Sequence, residues 1–199
     1  MNIFTYNVHT NEFTFRPDTT LAREVNTLYP PSGTDEVCIY PCMVLRISKS
    51  GKCISAKFSE RYYSAYSFGL YITDRSVYDN SQITHFEYTR LTTFDVSTIV
   101  SRDLKLAGSY LKGSILRTQL SGGDKAESIL DKESEIISAR AIERISSHFS
   151  LKTGDLIFIE MSAPLFSSRV DRIIQTLINP DKKGSEEENQ ELLLDFFIR

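Results

Sequence analysis

The stretch from residue 151 to 164 constrains the fold most, because it joins a helix to a buried strand through one tight turn. Just before it, Ile142, Ile145 and Phe149 recur at the spacing of one helix face. A Thr-Gly-Asp turn then ends this pattern, and the apolar run Leu-Ile-Phe-Ile that follows favours a β-strand. A helix that enters a core strand in this way is typical of α+β folds.

Most of the remaining periodic segments predict strands, so the expected fold is mainly β. Residues 37–54 predict a hairpin with its turn at 48–52, and the return strand is expected to start at Cys53. An opening hairpin with its turn at 9–12 precedes it. The later pattern predicts one long helix over 129–150 and strands over 104–106, 114–120, 170–178 and 192–198.

The composition fits one globular domain spanning residues 1–199. With 199 residues and 41% hydrophobic content, the chain can bury a sizeable core. A net charge of −3, with lysines and arginines scattered along the chain, gives no reason to expect nucleic-acid binding. No apolar run of about 18 residues is present to span a membrane, and the first residues lack the pattern of a signal peptide. We therefore expect a cytoplasmic protein without a nucleic-acid or membrane partner.

The three cysteines do not suggest a disulfide framework, since their number is odd. Cys38 and Cys42 would lie about 13 Å apart on one strand, which is too far for a disulfide. Reduced thiols are therefore the expected state. A site for a soft ion such as zinc, formed by these two residues and Cys53, is the alternative.

Several segments resemble the fumarylacetoacetate hydrolase family, and the resemblance covers nearly the whole chain. The clearest are Leu-Lys-Thr-Gly-Asp-Leu-Ile-Phe at 151–158 and Met-Val-Leu-Arg-Ile-Ser-Lys-Ser-Gly-Lys at 43–52. The block at 16–21 and the last strand, at 192–199, are similar too. The resemblance implies a mixed β-sandwich roll and a homodimer. It also implies that an Mg or Ca ion, held by carboxylates, assists the cleavage of a carbon–carbon bond in acylpyruvates or β-diketo acids.

The metal-binding carboxylates of that family are replaced in this sequence. By the resemblance, the first two metal ligands correspond to Tyr40 and Cys42, and the third corresponds to Tyr71. These groups are uncharged at neutral pH unless something perturbs them, whereas Mg and Ca prefer several anionic oxygens. The family's lysine corresponds to Thr92. Arg90, two residues earlier, is expected to point to the same face and to supply a displaced positive charge. We therefore expect a degenerate pocket without a bound Mg or Ca ion.

These replacements favour a non-catalytic protein that binds small molecules or acts as a scaffold, which would make it a pseudoenzyme of the family. The alternative is a divergent hydrolase whose site is rearranged around Asp74, Arg75 and Glu160. His9 and Asp79 are further candidate residues for that site. Carboxylates near strand ends are usually solvated, which weakens the alternative.

Two binding surfaces are also expected. Arg75 keeps the arginine of the family's substrate pocket, and beside Tyr78 it is a candidate for bidentate binding of a small carboxylate. An ion pair with Asp74 or Asp79 is the alternative role of this arginine. A third hypothesis is a subunit that pairs with an active paralogue, through the acidic loop at 181–190 and the terminal strand.

Overall fold

Two β-sheets and one long helix pack around a shared core in the computed structural model, which describes residues 1–80, 82–106, 113–168, 170–180 and 189–199. The strands of this part of the chain are β1 (Ile3–Asn7), β2 (Glu12–Arg16), β3 (Leu21–Ala22), β4 (Thr27–Leu28), β5 (Glu36–Ile47), β6 (Tyr63–Asp74), β7 (Thr98–Val100), β8 (Lys105–Leu106), β9 (Ile115–Leu120), β10 (Lys125–Ile129), β11 (Leu156–Glu160), β12 (Leu165–Ser168), β13 (Asp171–Ile178) and β14 (Gln190–Ile198). The helices are α1 (Arg75–Asp79), α2 (His85–Thr92) and α3 (Lys132–His148), with 3-10 turns at Asp18–Thr20 and Ala56–Arg61.

The larger sheet is mixed, and it carries the strands that form the candidate site. Its order is β2-β1-β11-β5-β6-β7-β3, with β12 paired to β5 and β8 paired to β6. β1 runs parallel to β11, whereas β5 is antiparallel to both β11 and β6. The smaller sheet has the order β10-β9-β13-β14-β4. The predicted mixed, mainly β architecture with a packed helix is therefore confirmed.

The helix, turn and strand predicted at the organising stretch are present as α3, a tight turn and β11. Asp131 caps α3 by accepting hydrogen bonds from two backbone N–H groups of the first turn. Gly154 has a φ of 92°, a conformation that side chains disfavour, and it lets the chain reverse. Asp155 then accepts a hydrogen bond from the Asn2 N–H at 2.7 Å, which ties the turn to the start of β1.

The two faces of the larger sheet have different surroundings. On one face, Phe4, Leu45 and Ile157 belong to the main core, together with residues of α3 and of the smaller sheet. Because strand residues alternate between faces, their neighbours in sequence point to the opposite side. That side, which we call the site face, is marked by a smaller apolar cluster that includes Ile3, Cys42, Val44, Tyr71, Leu156 and Phe158.

The hairpin predicted over residues 37–54 has a later return strand than expected. β5 pairs with β6, which begins at Tyr63 rather than at Cys53. Cys53 has a φ of 51°, and Ile54 is buried in the main core rather than placed in a strand. The prediction of a short turn was wrong because the packing of Ile54 depends on distant residues, which local periodicity does not reveal.

Helix boundaries also differ from the prediction. α3 begins at Lys132 rather than at residue 129, because the preceding residues pair with β9 as strand β10. α2 is missing from the sequence prediction, although Thr84 and Glu87 form a capping box that can be read from the sequence. No described helix is both long and apolar enough to cross a membrane.

The strands predicted at 170–178 and 192–198 are confirmed as β13 and β14, which pair with each other. Most of the acidic loop that is predicted to connect them, residues 181–188, lies outside the described residues.

Replacing Gly69 by alanine is expected to destabilise the fold by about 1–3 kcal/mol through overpacking. An added Cβ would lie 2.3 Å from the Ile99 carbonyl oxygen and 3.2 Å from the Phe158 ring. A backbone oxygen cannot rotate aside, so the strand spacing would have to change. Urea unfolding measures the effect, and Gly122→Ala is the matched control because nothing lies within 4 Å of a Cβ added there. Equal unfolding midpoints for the two variants would contradict this expectation.

Candidate functional site

Side chains from neighbouring strands and from α2 line a cavity of about 210 Å³ on the site face. β2, β1, β11, β5 and β6 are consecutive in the larger sheet, so residues on them converge without a long loop. We call this space the central cavity. The lining residues with groups best suited to binding are Asn7, Arg16, Tyr40, Tyr71, Thr92 and Glu160.

Tyr40 and Tyr71 occupy two of the positions where the resemblance implies metal-binding carboxylates. They are cross-strand partners, and their rings stack with centroids 4.4 Å apart and planes inclined by 8°. Cys42, at the remaining replaced position, is fully buried, and its thiol donates a hydrogen bond to the Tyr40 carbonyl oxygen. Burial raises the pKa of all three side chains, so they are neutral at physiological pH.

Glu160 brings a carboxyl group next to these tyrosines. The pairing of β11 with β5 places it opposite Cys42. The Tyr71 hydroxyl donates a hydrogen bond to Oε1 at 2.5 Å, and the Asn7 side-chain amide donates one to Oε2 at 2.8 Å. Burial raises the pKa of Glu160 to about 7, although the hydrogen bond from Tyr71 lowers it. This carboxyl group therefore gains or loses a proton near neutral pH.

A buried arginine supplies positive charge to the cavity. Arg16 is 2% exposed, and its Nε donates a hydrogen bond to Thr98 Oγ1 at 2.8 Å. Its Nη2 donates to the carbonyl oxygens of Ile72 and Ser97 and to the Ser97 hydroxyl. The guanidinium carbon lies 5.1 Å from the centre of the Tyr71 ring. Burial lowers the pKa of Arg16 to about 10, so the group remains cationic at neutral pH.

The charge of Arg16 has no carboxylate partner among the described residues. Its hydrogen bonds all go to neutral acceptors and use Nε and Nη2, while Nη1 has no hydrogen-bond partner in the described part of the chain. Sequence analysis missed this residue as a site residue, because its partners lie 56 to 82 residues away. The alternation of Glu12, Thr14 and Arg16 along β2 was the available signal that these side chains share a face.

The side chains at the three replaced positions do not fit an Mg or Ca ion. Neutral phenols and a neutral thiol offer no anionic oxygen, and hard cations need several. Within the described residues, no three His, Cys, Asp or Glu side chains are grouped to hold a metal ion. Cys38 and Cys42 are buried on β5 and Cys53 is exposed, all three as free thiols.

The structure does not bring the other predicted catalytic residues into the central cavity. Asp74 caps α1, where it accepts hydrogen bonds from the Ser76 N–H at 2.9 Å and from the Thr34 hydroxyl at 2.6 Å. Arg75 forms an ion pair with Asp79, with 2.9 Å between Nε and Oδ2. The ion pair with Asp79, one of the alternatives predicted for Arg75, is therefore present.

Arg75 lies in a separate depression on the surface, whose lining also includes Arg90, Asp74 and Asp79. Its guanidinium carbon lies 3.7 Å from the centre of the Phe166 ring. Tyr78 is exposed and contacts the same ring. His9 is exposed in the turn between β1 and β2. The residues predicted to form a rearranged site with Glu160 are therefore not gathered around it.

Arg90 and Thr92 line different concavities, although the sequence suggested that both would face one site. Thr92 lines the central cavity, whereas Arg90 lines the depression beside Arg75. Both residues lie on α2, where positions two apart are separated by about 200° around the helix axis. The expectation of a shared face was wrong, because residues two apart share a face on a strand but not on a helix.

Comparisons with known proteins identify the fold through solved structures. No family model and no curated protein matches the sequence. The 5-carboxymethyl-2-hydroxymuconate delta-isomerase from Mycobacterium smegmatis aligns with a TM-score of 0.69 at 16% identity, over 88% of this chain and 74% of that chain. The fumarylpyruvate hydrolase from Pseudomonas aeruginosa, solved with Mn²⁺ and pyruvate, aligns with a TM-score of 0.68 at 17% identity, over 89% and 84%.

A third similar structure is the maleylpyruvate hydrolase from Sphingobium sp. SYK-6, solved with manganese(II) and pyruvate. Its TM-score is 0.68 at 15% identity, over 98% of this chain and 69% of that chain. Together with the strand order and the helix–turn–strand unit described above, these similarities establish that the chain has the fold of the fumarylacetoacetate hydrolase family.

Proposed function

We propose that the protein binds a small carboxylate in the central cavity without a divalent metal ion and without catalysis. The observation that carries this proposal is the charge of Arg16, which lines the cavity and has no described carboxylate partner. A buried, unpaired ion costs several kcal/mol of desolvation. An anion that enters the cavity would offset this cost by forming a charge-assisted hydrogen bond with the guanidinium.

The size and polarity of the cavity favour a ligand as small as a short oxo acid. A volume of about 210 Å³ lies below the usual range for drug-sized ligands, which begins at about 300 Å³. Thr73 and Thr92 add hydroxyl groups to the lining, and such groups can bind a ligand carbonyl. The Pseudomonas aeruginosa structure of the same fold contains pyruvate, which supports this class of ligand.

The metal-free part of the proposal rests on the neutral groups at the replaced positions. In a site built on Mg or Ca, the cation supplies the positive charge that binds a substrate oxygen. Here Tyr40, Cys42 and Tyr71 are neutral, and Arg16 supplies the positive charge. Affinity for a carboxylate should therefore depend on the arginine.

Calorimetric titration with pyruvate is expected to give the same affinity in the presence of a chelator as with added Mg, Ca or Mn. Pyruvamide, a neutral ligand of nearly the same shape, should bind about 10- to 100-fold more weakly, because it loses the charge-assisted contact. Titration with the metals alone should release no heat of binding. Stoichiometric metal binding, or pyruvate binding that requires a metal, would overturn the proposal.

A divergent hydrolase of acylpyruvates or β-diketo acids is the second candidate function. The raised pKa of Glu160 is the observation that favours it. A carboxyl group with a pKa of about 7 that is hydrogen-bonded to a tyrosine is suited to general acid–base catalysis near neutral pH. This candidate predicts cleavage of an acylpyruvate that is lost in Glu160→Gln. Chromatography of the products distinguishes it from the first candidate, which predicts no cleavage with any of the three metals.

We also propose that residues 1–199 form one domain, in a cytoplasmic protein that assembles as a homodimer. Residues of both sheets and of α3 belong to one apolar cluster, which supports a single folding unit. Pairing with an active paralogue is the weaker alternative. Sedimentation velocity of the purified chain tests the homodimer, and a monomer at micromolar concentration would contradict it.

A further inference from the structure

A second concavity lies on the site face, outside the central cavity. It has a volume of about 350 Å³, and no residue lines both spaces. We call it the arginine groove. Its floor is apolar and buried, and it is formed by Val44, Val100 and Leu156. Its rim consists of three exposed arginines, Arg23, Arg46 and Arg102.

The position of the arginine groove follows from the alternation of β5. Tyr40, Cys42, Val44 and Arg46 project from the same side of this strand. Tyr40 lines the central cavity, whereas Val44 and Arg46 line the groove. Tyr40 and Val44, which is the first residue of β5 that lines the groove, are about 13 Å apart on extended chain, and the two spaces share no lining residue.

The charges around the groove are unbalanced. Arg102 forms an ion pair with Glu24. Arg23 and Arg46 have no carboxylate partner among the described residues. These two charges form a positive patch on a chain whose net charge is −3, and they border an apolar surface. Positive charge beside a concave apolar floor is complementary to an anion with an apolar body.

We propose that the arginine groove binds an amphipathic monocarboxylate of about eight carbons, with its carboxylate on the rim and its chain on the floor. The guanidinium groups of Arg23 and Arg46 bind the carboxylate, since arginine recognises this group through paired N–H donors. The chain covers Val44, Val100 and Leu156. The volume, at the lower end of the range for small-molecule sites, suits a ligand of this size.

Displacement of the fluorescent anion 8-anilinonaphthalene-1-sulfonate by octanoate tests this proposal. Arg46→Gln and Arg23→Gln should each weaken octanoate binding by about 5-fold or more, because each removes one charged hydrogen-bond donor. Both side chains are exposed, so the unfolding midpoint should not change. Arg140→Gln, which removes an exposed arginine of α3, is the matched control and should bind octanoate as the unmodified protein does.

Chain length and charge of the ligand provide a second readout. Affinity should rise from butanoate to octanoate by about 2- to 4-fold for each added methylene group. Octanamide, which lacks the charge, should displace the dye only weakly. Saturating pyruvate should leave octanoate binding unchanged, since the two sites share no lining residue.

Three results would overturn the proposal. Equal octanoate affinity in the Arg23→Gln/Arg46→Gln double variant would place the ligand elsewhere. Equal affinity for octanamide would remove the role of charge. A change of sedimentation coefficient in the double variant, without octanoate binding to the unmodified protein, would instead identify the groove as a contact between copies of the chain. None of these outcomes depends on whether pyruvate binds in the central cavity.

Discussion

Arg16→Gln is expected to weaken binding of pyruvate by about 10- to 100-fold, because the ligand loses its charge-assisted contact. The lost hydrogen bonds should lower the free energy of unfolding by about 1–3 kcal/mol for each acceptor left unsatisfied. The desolvation cost that is removed with the charge offsets this loss in part. Glutamine is shorter than arginine and cannot reproduce the donors at Nε and Nη2. The carbonyl oxygens of Ile72 and Ser97 would lose the hydrogen bonds that Arg16 donates to them inside the protein.

Two further variants separate the charge of Arg16 from its shape. Arg16→Lys keeps the charge but lacks the planar fork, so it should retain part of the affinity while losing most of the stability that the hydrogen bonds provide. Arg90→Gln removes an exposed arginine from the depression beside Arg75. It should change neither the pyruvate affinity nor the free energy of unfolding. Calorimetry and urea unfolding measure the two effects. Undiminished pyruvate binding by a folded Arg16→Gln protein would show that the ligand binds outside the central cavity.

Glu160→Gln is expected to remove a pH dependence of stability. Burial raises the pKa of Glu160 from 4.5 to about 7 in the folded protein, so between these values the folded state holds a proton that the unfolded state has released. The contribution of Glu160 to the free energy of unfolding is therefore greatest below pH 4.5. It falls as the pH rises from 4.5 to about 7 and is absent at higher pH. At about 1.4 kcal/mol per pKa unit, the full loss amounts to about 3.5 kcal/mol.

Urea unfolding from pH 4 to pH 8.5 checks this expectation. The Glu160→Gln variant should have a flatter stability profile than the unmodified protein, and it should be the more stable of the two at pH 8. Its hydrogen bond from Tyr71 can be kept, since the amide oxygen still accepts. Glu60→Gln, at an exposed position, is the control and should preserve the original profile. Parallel profiles for the unmodified protein and the Glu160→Gln variant would refute this expectation.

The affinity for pyruvate should also depend on whether Glu160 is protonated. A carboxylate on Glu160 repels an anionic ligand in the same cavity, whereas the protonated form can donate a hydrogen bond to it. Tyr71 and Asn7 donate hydrogen bonds to Glu160, and burial keeps the neighbouring Tyr71, Tyr40 and Cys42 neutral. The charged residues Glu12 and Arg16 line the same cavity. Pyruvate affinity should therefore fall as the pH rises through about 7, and the Glu160→Gln variant should lose this dependence. Calorimetric titration across this pH range measures it.

Local sequence patterns determined the elements whose contacts are close along the chain. The helix face marked by Ile142 and Ile145, the Gly154 turn and the strand after it appear in the structure as predicted, because capping, glycine conformation and periodicity act over a few residues. The resemblance also identified Tyr40 and Tyr71 as replacements for carboxylates. The structure places both in one cavity.

Only the tertiary structure decided which charges occupy that cavity. The sequence suggested Arg75 and Arg90, yet Arg75 pairs with Asp79, and Arg90 lies on a helix that turns it away. The burial of Arg16 could not be predicted from the sequence, because it depends on residues 56 to 82 positions away. Backbone and hydroxyl oxygens of Ile72, Ser97 and Thr98 accept its hydrogen bonds. Local preferences predict strands and helices, whereas the position of a buried charge depends on long-range packing.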